Sequence, residues 1–137
     1  MMNDGSGMVG ENETRRGRSW ARKFRDAFRG VGLGVRGQSS FLVHFLVAAA
    51  VIVAAAVMRV SVIEWCILFL SIGVVLAAEM FNSALESMAK AITDKHHPRL
   101  ADALDVGSAA VLVAAIGAVV VGSLLFLHRL GTLAGWW

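Results

Sequence analysis

Three polar side chains, Glu79, Asn82 and Glu86, lie within eight residues of one another in a largely apolar part of the chain. Because an α-helix turns by about 100° per residue, Asn82 would lie about 60° and Glu86 about 20° from Glu79 around the helix axis. This face, here called the acidic stripe, could hold Mg²⁺ together with phosphate oxygens or take a proton from a hydroxyl group. The alternative is a hydrogen-bond network between packed helices, but two carboxylates there also need cations or protons to offset their charge.

A short charged segment, residues 94–99, follows the acidic stripe and contains Lys95, His96 and His97. Adjacent histidines in a loop rarely bind one metal ion together, so no zinc site is predicted here. We expect His97 to lie beside a phosphate group or an adenine ring, or simply at a membrane interface. Asp105, a few residues further along, adds a carboxylate close to the same segment.

The composition places these polar residues in a membrane protein. Of the 137 residues, 57% are hydrophobic and 17% are charged, whereas a soluble domain has about 25% charged residues. The excess apolar side chains must therefore face lipid. The single cysteine, Cys66, excludes a disulfide scaffold and a cysteine-rich zinc module.

Three apolar segments, at about residues 41–59, 62–90 and 106–128, are each long enough to cross a hydrocarbon core about 30 Å thick. The second contains the acidic stripe, and the first contains His44, which we expect to be buried and hydrogen-bonded. With Trp65 at one interface, a rise of about 1.5 Å per residue places Glu79 about 21 Å and Glu86 about 31 Å further along. The acidic stripe therefore approaches the opposite interface.

The basic residues predict the orientation of these spans. Eight of the 13 basic residues precede the first span, whereas Arg59 alone separates spans one and two. Lys90, Lys95 and Arg99 lie between spans two and three. Since basic residues are retained on the cytoplasmic side, the N-terminus and the second loop are predicted to be cytoplasmic, in a multi-pass protein of the inner, cytoplasmic membrane. Attraction to anionic lipid headgroups explains the basic cluster, so no nucleic acid partner is predicted.

The segments around the spans complete the predicted fold class, an all-α membrane protein. Residues 1–14 are mostly small or polar and predict a disordered tail. In residues 15–36, Trp20, Phe24 and Phe28 recur four residues apart with basic residues on other faces, which predicts an amphipathic helix on the anionic membrane surface. Residues 37–128 would form the three-span domain, and residues 129–137 a short non-cytoplasmic tail.

Over roughly residues 19–127, the chain resembles the family of small prokaryotic diacylglycerol kinases and undecaprenol kinases. The resemblance rests on four motifs: Phe24-Arg-Asp-Ala27-Phe-Arg-Gly30, Glu79-x-x-Asn82-Ser83-Ala84-x-Glu86, His97-Pro98, and Asp105-Val-Gly-Ser-Ala-Ala-Val-Leu112. It implies a homotrimeric bundle of three-span chains. It also implies a lipid kinase that transfers the γ-phosphate of ATP, with Mg²⁺, to the hydroxyl group of diacylglycerol or undecaprenol in the bilayer.

This resemblance implies specific roles for the polar residues. Glu79 matches the general base that takes the proton of the lipid hydroxyl group, and Asn82 would orient the reacting groups. Glu86 matches a ligand of Mg²⁺ and of ATP. Contacts to the nucleotide are implied for Lys95, His96, His97 and Asp105.

The chain departs from the family pattern at three positions. Gln38 replaces a glutamate that binds metal in the family, Lys90 replaces an aspartate, and Leu104 replaces a lysine that contacts phosphate. Together these changes make the net charge of the site two units less negative, so weaker cation binding is expected. Lys90, one turn beyond Glu86, is predicted to substitute for the missing lysine, and Gln38 to remain beside the nucleotide.

Two other functions remain open at this point. The altered charges also fit a diverged, inactive homologue that serves as a membrane assembly partner. The acidic stripe alone would suit a small channel or proton-relay subunit, which would conduct ions without hydrolysing ATP. Between the two lipids, the Trp-bearing surface helix and His97-Pro98 resemble undecaprenol kinases, whereas Ser108-Ala109-Ala110 resembles diacylglycerol kinases.

Overall fold

A computed structural model describes residues 19–35, 39–93, 95 and 97–136, and helices are the only regular secondary structure in these residues. In chain order the helices are α1 (Trp20–Val35), α2 (Ser39–Val57), α3 (Val62–Ile92) and α4 (Pro98–Leu133). Helices α2, α3 and α4 are each long and apolar enough to cross a membrane. The prediction of an all-α membrane protein with three spans is confirmed.

Helix α1 displays its aromatic side chains along one face. Trp20, Phe24 and Phe28 are all exposed, and the Nζ atom of Lys23 lies 4.7 Å from the centroid of the Trp20 ring. The helix begins after Ser19, whose Oγ accepts a hydrogen bond of 3.4 Å from the backbone N–H of Arg22. Exposed rings flanked by basic side chains are typical of a helix that lies in a membrane interface.

Most apolar side chains of α2, α3 and α4 are exposed, which fits helices surrounded by lipid. Helix α3 packs against both α2 and α4. A cluster of buried apolar residues consists of Ala55, Val60 and Leu68, with Trp65 and Phe126 among the side chains packed against it. This cluster joins all three helices near the turn between α2 and α3.

Helix α2 ends in a Schellman motif, which sets the geometry of the turn into α3. The N–H of Val60 donates to the carbonyl of Ala55 and the N–H of Arg59 to that of Ala56, both at 3.2 Å. Arg59 has a φ of 50°, in the left-handed region that glycine usually occupies at this position. Val60 and Ala55 are also buried together, as is usual for this motif.

A capping box fixes the start of α3. The backbone N–H of Glu64 donates to the Oγ of Ser61 at 3.3 Å, and the backbone N–H of Ser61 donates to the Oε2 of Glu64 at 2.5 Å. Both groups would otherwise lack partners at the helix terminus. Because the helix starts at a defined residue, the side chains further along α3 take defined directions.

Arg129 of α4 ties the far end of that helix to the turn between α2 and α3. Its Nε atom donates to the carbonyl of Met58 at 3.0 Å, and its Nη2 atom donates to the carbonyl of Arg59 at 2.8 Å. The last carbonyl groups of a helix have no donors within it, so the guanidinium group supplies them.

Helix α4 extends beyond its predicted span at both ends. It begins at Pro98, where a proline is favoured because the first helical residue needs no N–H donor. It continues to Leu133, and Gly135 then adopts a φ of 72°. The helix therefore includes Asp105 and the first residues of the segment expected to be a tail.

The contacts of Arg129 can be tested by substitution. Arg129→Leu is expected to lower the free energy of unfolding by about 1 to 2 kcal/mol, because two carbonyl groups lose a charged donor. Thermal unfolding in detergent micelles, followed by circular dichroism, measures the effect. Arg129→Lys keeps the charge but not the paired donors, so an intermediate loss is expected. An unchanged melting temperature for Arg129→Leu would contradict the assignment.

Candidate functional site

Glu79 lies inside the packed helices, on the side of α3 that faces α2. The residue is only 3% exposed, and its Oε2 atom is 3.8 Å from the Nε2 atom of His44. That distance exceeds a direct hydrogen bond but allows an ion pair or a bridging water molecule. A carboxyl group and an imidazole group from two membrane-spanning helices therefore lie side by side.

Asn82 and Glu86 are linked along the same helix. The Nδ2 atom of Asn82 donates to the Oε1 atom of Glu86 at 3.0 Å, across one helical turn. Asn82 is buried, and Glu86 is half-buried. The bond orients the Glu86 carboxylate and shows that these two members of the acidic stripe share a face.

Gly107 of α4 makes room for Asn82. Because the Nδ2 atom of Asn82 is used by Glu86, its Oδ1 atom points elsewhere, and it is buried without a hydrogen-bond partner among the described residues. A Cβ atom added to Gly107 would lie 2.6 Å from Oδ1 and 3.1 Å from the Cδ1 atom of Leu85. Sequence reasoning did not single out Gly107, although a small residue at a helix contact in a span is a usable signal.

A cavity of about 260 Å³ lies where α3 ends and α4 begins. Three residues predicted for the site, Lys90, Lys95 and His97, line this cavity, as does Leu104. Thr93 lines it as well, and its Oγ1 atom accepts a hydrogen bond of 3.0 Å from the backbone N–H of Lys95. We call it the basic cavity. Its two lysines and a histidine suit an anionic group such as phosphate.

Three other residues that were predicted for the site do not line the basic cavity or lie outside the described residues. Asp105 lies on α4, is exposed, and does not line the basic cavity. Gln38 and His96 lie outside the described residues. The structure adds two residues to the candidate site that the sequence did not predict, Thr93 and Gly107.

A second cavity, of about 410 Å³, lies between α2, α3 and α4 and is mostly apolar. Small residues such as Ala48, Ala118 and Gly122 leave the space open. His44 and Ser123 are among the few polar residues that line it. His44 thus borders this apolar cavity and also contacts Glu79.

The carboxylates can be compared with what a Mg²⁺ ion requires. Within the described part of the chain, no group of three or more His, Cys, Asp or Glu side chains could hold a metal ion. Mg²⁺ bound with a nucleotide usually takes one or two carboxylates, and phosphates and water complete its shell. The oriented carboxylate of Glu86 fits that mode.

These features define a multi-pass helical membrane protein with buried polar groups on its middle span and a basic cavity at one end of that span. The chain matches the family model for prokaryotic diacylglycerol kinase over residues 25–126. It belongs to that family, which is one of lipid kinases, and the resemblance found in its motifs is confirmed.

Individual relatives carry two different names. The chain is 38% identical over 109 residues to the undecaprenol kinase of Bacillus subtilis (strain 168), covering 80% of this chain and 89% of the relative. It is 37% identical over 108 residues to a diacylglycerol kinase of Synechocystis, covering 78% and 62%. It is 29% identical over 105 residues to a diacylglycerol kinase of Escherichia coli (strain K12), covering 77% and 86%.

The contact between Gly107 and Asn82 gives a matched pair of variants. Gly107→Ala is expected to destabilise the protein by about 1 to 3 kcal/mol, because its Cβ would overlap Asn82. In the same helix, Gly117 has nothing within 4 Å of an added Cβ, so Gly117→Ala should be neutral or slightly stabilising. Thermal unfolding in detergent compares the two variants. Equal melting temperatures would show that the close approach is absent.

Proposed function

We propose that this protein transfers the γ-phosphate of ATP, with Mg²⁺, to the hydroxyl group of a membrane lipid, either diacylglycerol or undecaprenol. The observation that carries the proposal is the buried carboxyl group of Glu79 within a membrane-spanning helix. Such groups are costly in a bilayer and usually serve a function. Membership of a lipid kinase family makes proton transfer from a lipid hydroxyl group the simplest such function.

Glu79 is proposed as the general base. As the lipid oxygen attacks the γ-phosphorus atom, Glu79 accepts the hydroxyl proton, and the bond between the γ-phosphorus and the bridging oxygen breaks to release ADP. Phosphoryl transfer depends mainly on positioning and on compensation of charge, so a single base and fixed cations are sufficient. The burial of Glu79 supports this role, because it keeps bulk water away from the reacting groups.

Glu86 is proposed to hold Mg²⁺, with Asn82 keeping its carboxylate oriented. When bound, Mg²⁺ would neutralise charge on the phosphate oxygens. The hydrogen bond from Asn82 to Glu86 supports this assignment, because it fixes one oxygen of the carboxylate in advance. Fixed ligands lose less conformational entropy when they bind.

The basic cavity is proposed to receive phosphate groups of the nucleotide. Lys90 lines it together with Leu104, the position where the family carries a phosphate-contacting lysine. The missing positive charge is thus supplied from α3 instead of α4. Lys95 and His97 would add donors, and Gln38, His96 and Asp105 remain proposed nucleotide contacts.

The remaining proposals concern assembly and location. We propose that the active enzyme is a homotrimer in the inner, cytoplasmic membrane, with the N-terminus and the basic cavity on the cytoplasmic side. Helix α1 would bind the anionic membrane surface through its exposed rings and basic side chains. This orientation brings the basic cavity to the side where ATP is present.

The proposed base is tested with purified protein in nanodiscs, with ATP, both lipids and varied Mg²⁺. Glu79→Gln should lower turnover by at least about 100-fold, because the amide cannot accept the proton. Glu64→Gln is the matched control, since glutamine also completes a capping box, and its turnover should equal that of the wild type. Wild-type turnover in Glu79→Gln would exclude the base role. A wild type that phosphorylates neither lipid would favour the inactive assembly partner.

The role of Lys90 is tested by the KM for ATP. Lys90→Ala should raise this KM about tenfold, which corresponds to ~1.4 kcal/mol of lost binding. Adding Leu104→Lys to Lys90→Ala should restore much of the affinity, because both positions line the basic cavity. An unchanged KM in Lys90→Ala would refute the replacement.

A further inference from the structure

His44 is the only ionisable residue of α2, a helix that is otherwise almost entirely apolar. A polar side chain within a span is costly to expose to lipid, so it faces a partner or a polar cavity. The side chain of His44 is 21% exposed, and its Nε2 atom lies 3.8 Å from the Oε2 atom of Glu79. The proposed phosphoryl transfer assigns no role to the imidazole of His44.

Within the described part of the chain, one ion-pair partner is recorded for Glu79. Among the described residues, His44 is the basic side chain recorded within 4.0 Å of its carboxylate. The recorded hydrogen bond of the Asn82 side-chain amide, one turn away, goes to Glu86 and not to Glu79. The imidazole across the helix contact is therefore the recorded side chain of α2 that is placed to orient the Glu79 carboxylate.

A general base also needs a fixed direction. If the imidazole holds Oε2, the carboxylate can no longer rotate freely, and Oε1 becomes the oxygen that accepts the hydroxyl proton. The distance of 3.8 Å is longer than a hydrogen bond. Catalytic contacts are often long before the substrate binds and shorten in the complex.

We propose that His44 is a positioning residue, whose Nε2–H group holds the Glu79 carboxylate in the direction required for phosphoryl transfer. This inference rests on the proposed function, because it assigns Glu79 the role of base. His44 also borders the apolar cavity of about 410 Å³. His44 thus lies between Glu79 and this apolar cavity.

Two substitutions separate this role from simple packing. His44→Leu removes the donor, and His44→Gln replaces the imidazole Nε2–H with an amide N–H at a similar distance from the backbone. In nanodiscs with ATP and both lipids, His44→Leu should lower kcat about tenfold or more and leave the KM for ATP unchanged. His44→Gln should recover most of the lost kcat, which a space-filling role would not explain.

Ser123→Ala is the matched control, since Ser123 is another polar residue that lines the same cavity. Its kcat should equal that of the wild type. Wild-type kcat in His44→Leu, or a folded His44→Gln variant as slow as His44→Leu, would overturn the inference. A wild type that phosphorylates neither lipid would instead defeat the proposed function.

A structural measurement tests the contact without any activity. Solid-state NMR on protein with labelled histidine and glutamate should show a through-space correlation between the Nε2 atom of His44 and the carboxyl carbon of Glu79. The Glu79→Gln variant, with its unlabelled amide, serves to assign the signal. Absence of this correlation in the wild type would overturn the inference, whether or not the protein is active.

Discussion

The cost of placing carboxyl groups inside a bilayer is the constraint on which the rest of this structure depends. An ionisable side chain in the middle of a span costs roughly 3 kcal/mol on insertion scales, so it must find polar partners or water. Glu79 lies beside His44 of α2, and Asn82 bonds to Glu86. Helices α2 and α4 both pack on α3 at these groups, because His44 of α2 lies beside Glu79 and Gly107 of α4 lies against Asn82.

The polar groups meet their partners only if the helices pack in the right register, and interactions at the helix ends fix that register. The Schellman motif, the capping box at Ser61 and the contacts of Arg129 lie together at one end of the bundle, while the polar groups lie towards the other. Because helices are stiff, a turn fixed at residues 58–61 determines which residues meet several turns away. The pairing of His44 with Glu79 joins the two helices that this turn connects, whereas the pairing of Gly107 with Asn82 joins α3 to α4, which Arg129 links to the same turn.

The sequence was sufficient to predict the elements but not their contacts. Hydropathy and length predicted three spans, and the helical period predicted that Asn82 and Glu86 share a face, because both depend only on one helix. The proximity of His44 to Glu79 and the close approach of Gly107 depend on the rotation of neighbouring helices, which no single helix encodes. For the same reason Thr93 was missed, although it lines the basic cavity with the predicted Lys90.

The basic cavity brings together two of the positions at which the chain departs from the family pattern. Lys90 and Leu104 lie on different helices, yet they line the same space. A lysine on either α3 or α4 could attract a phosphate group in that space, since Coulomb attraction depends on distance and not on position along the chain. The long side chain of Lys90 can reach the cavity from its exposed position on α3. The two positions come together only in three dimensions, and this proximity supports the proposal that the positive charge has been relocated.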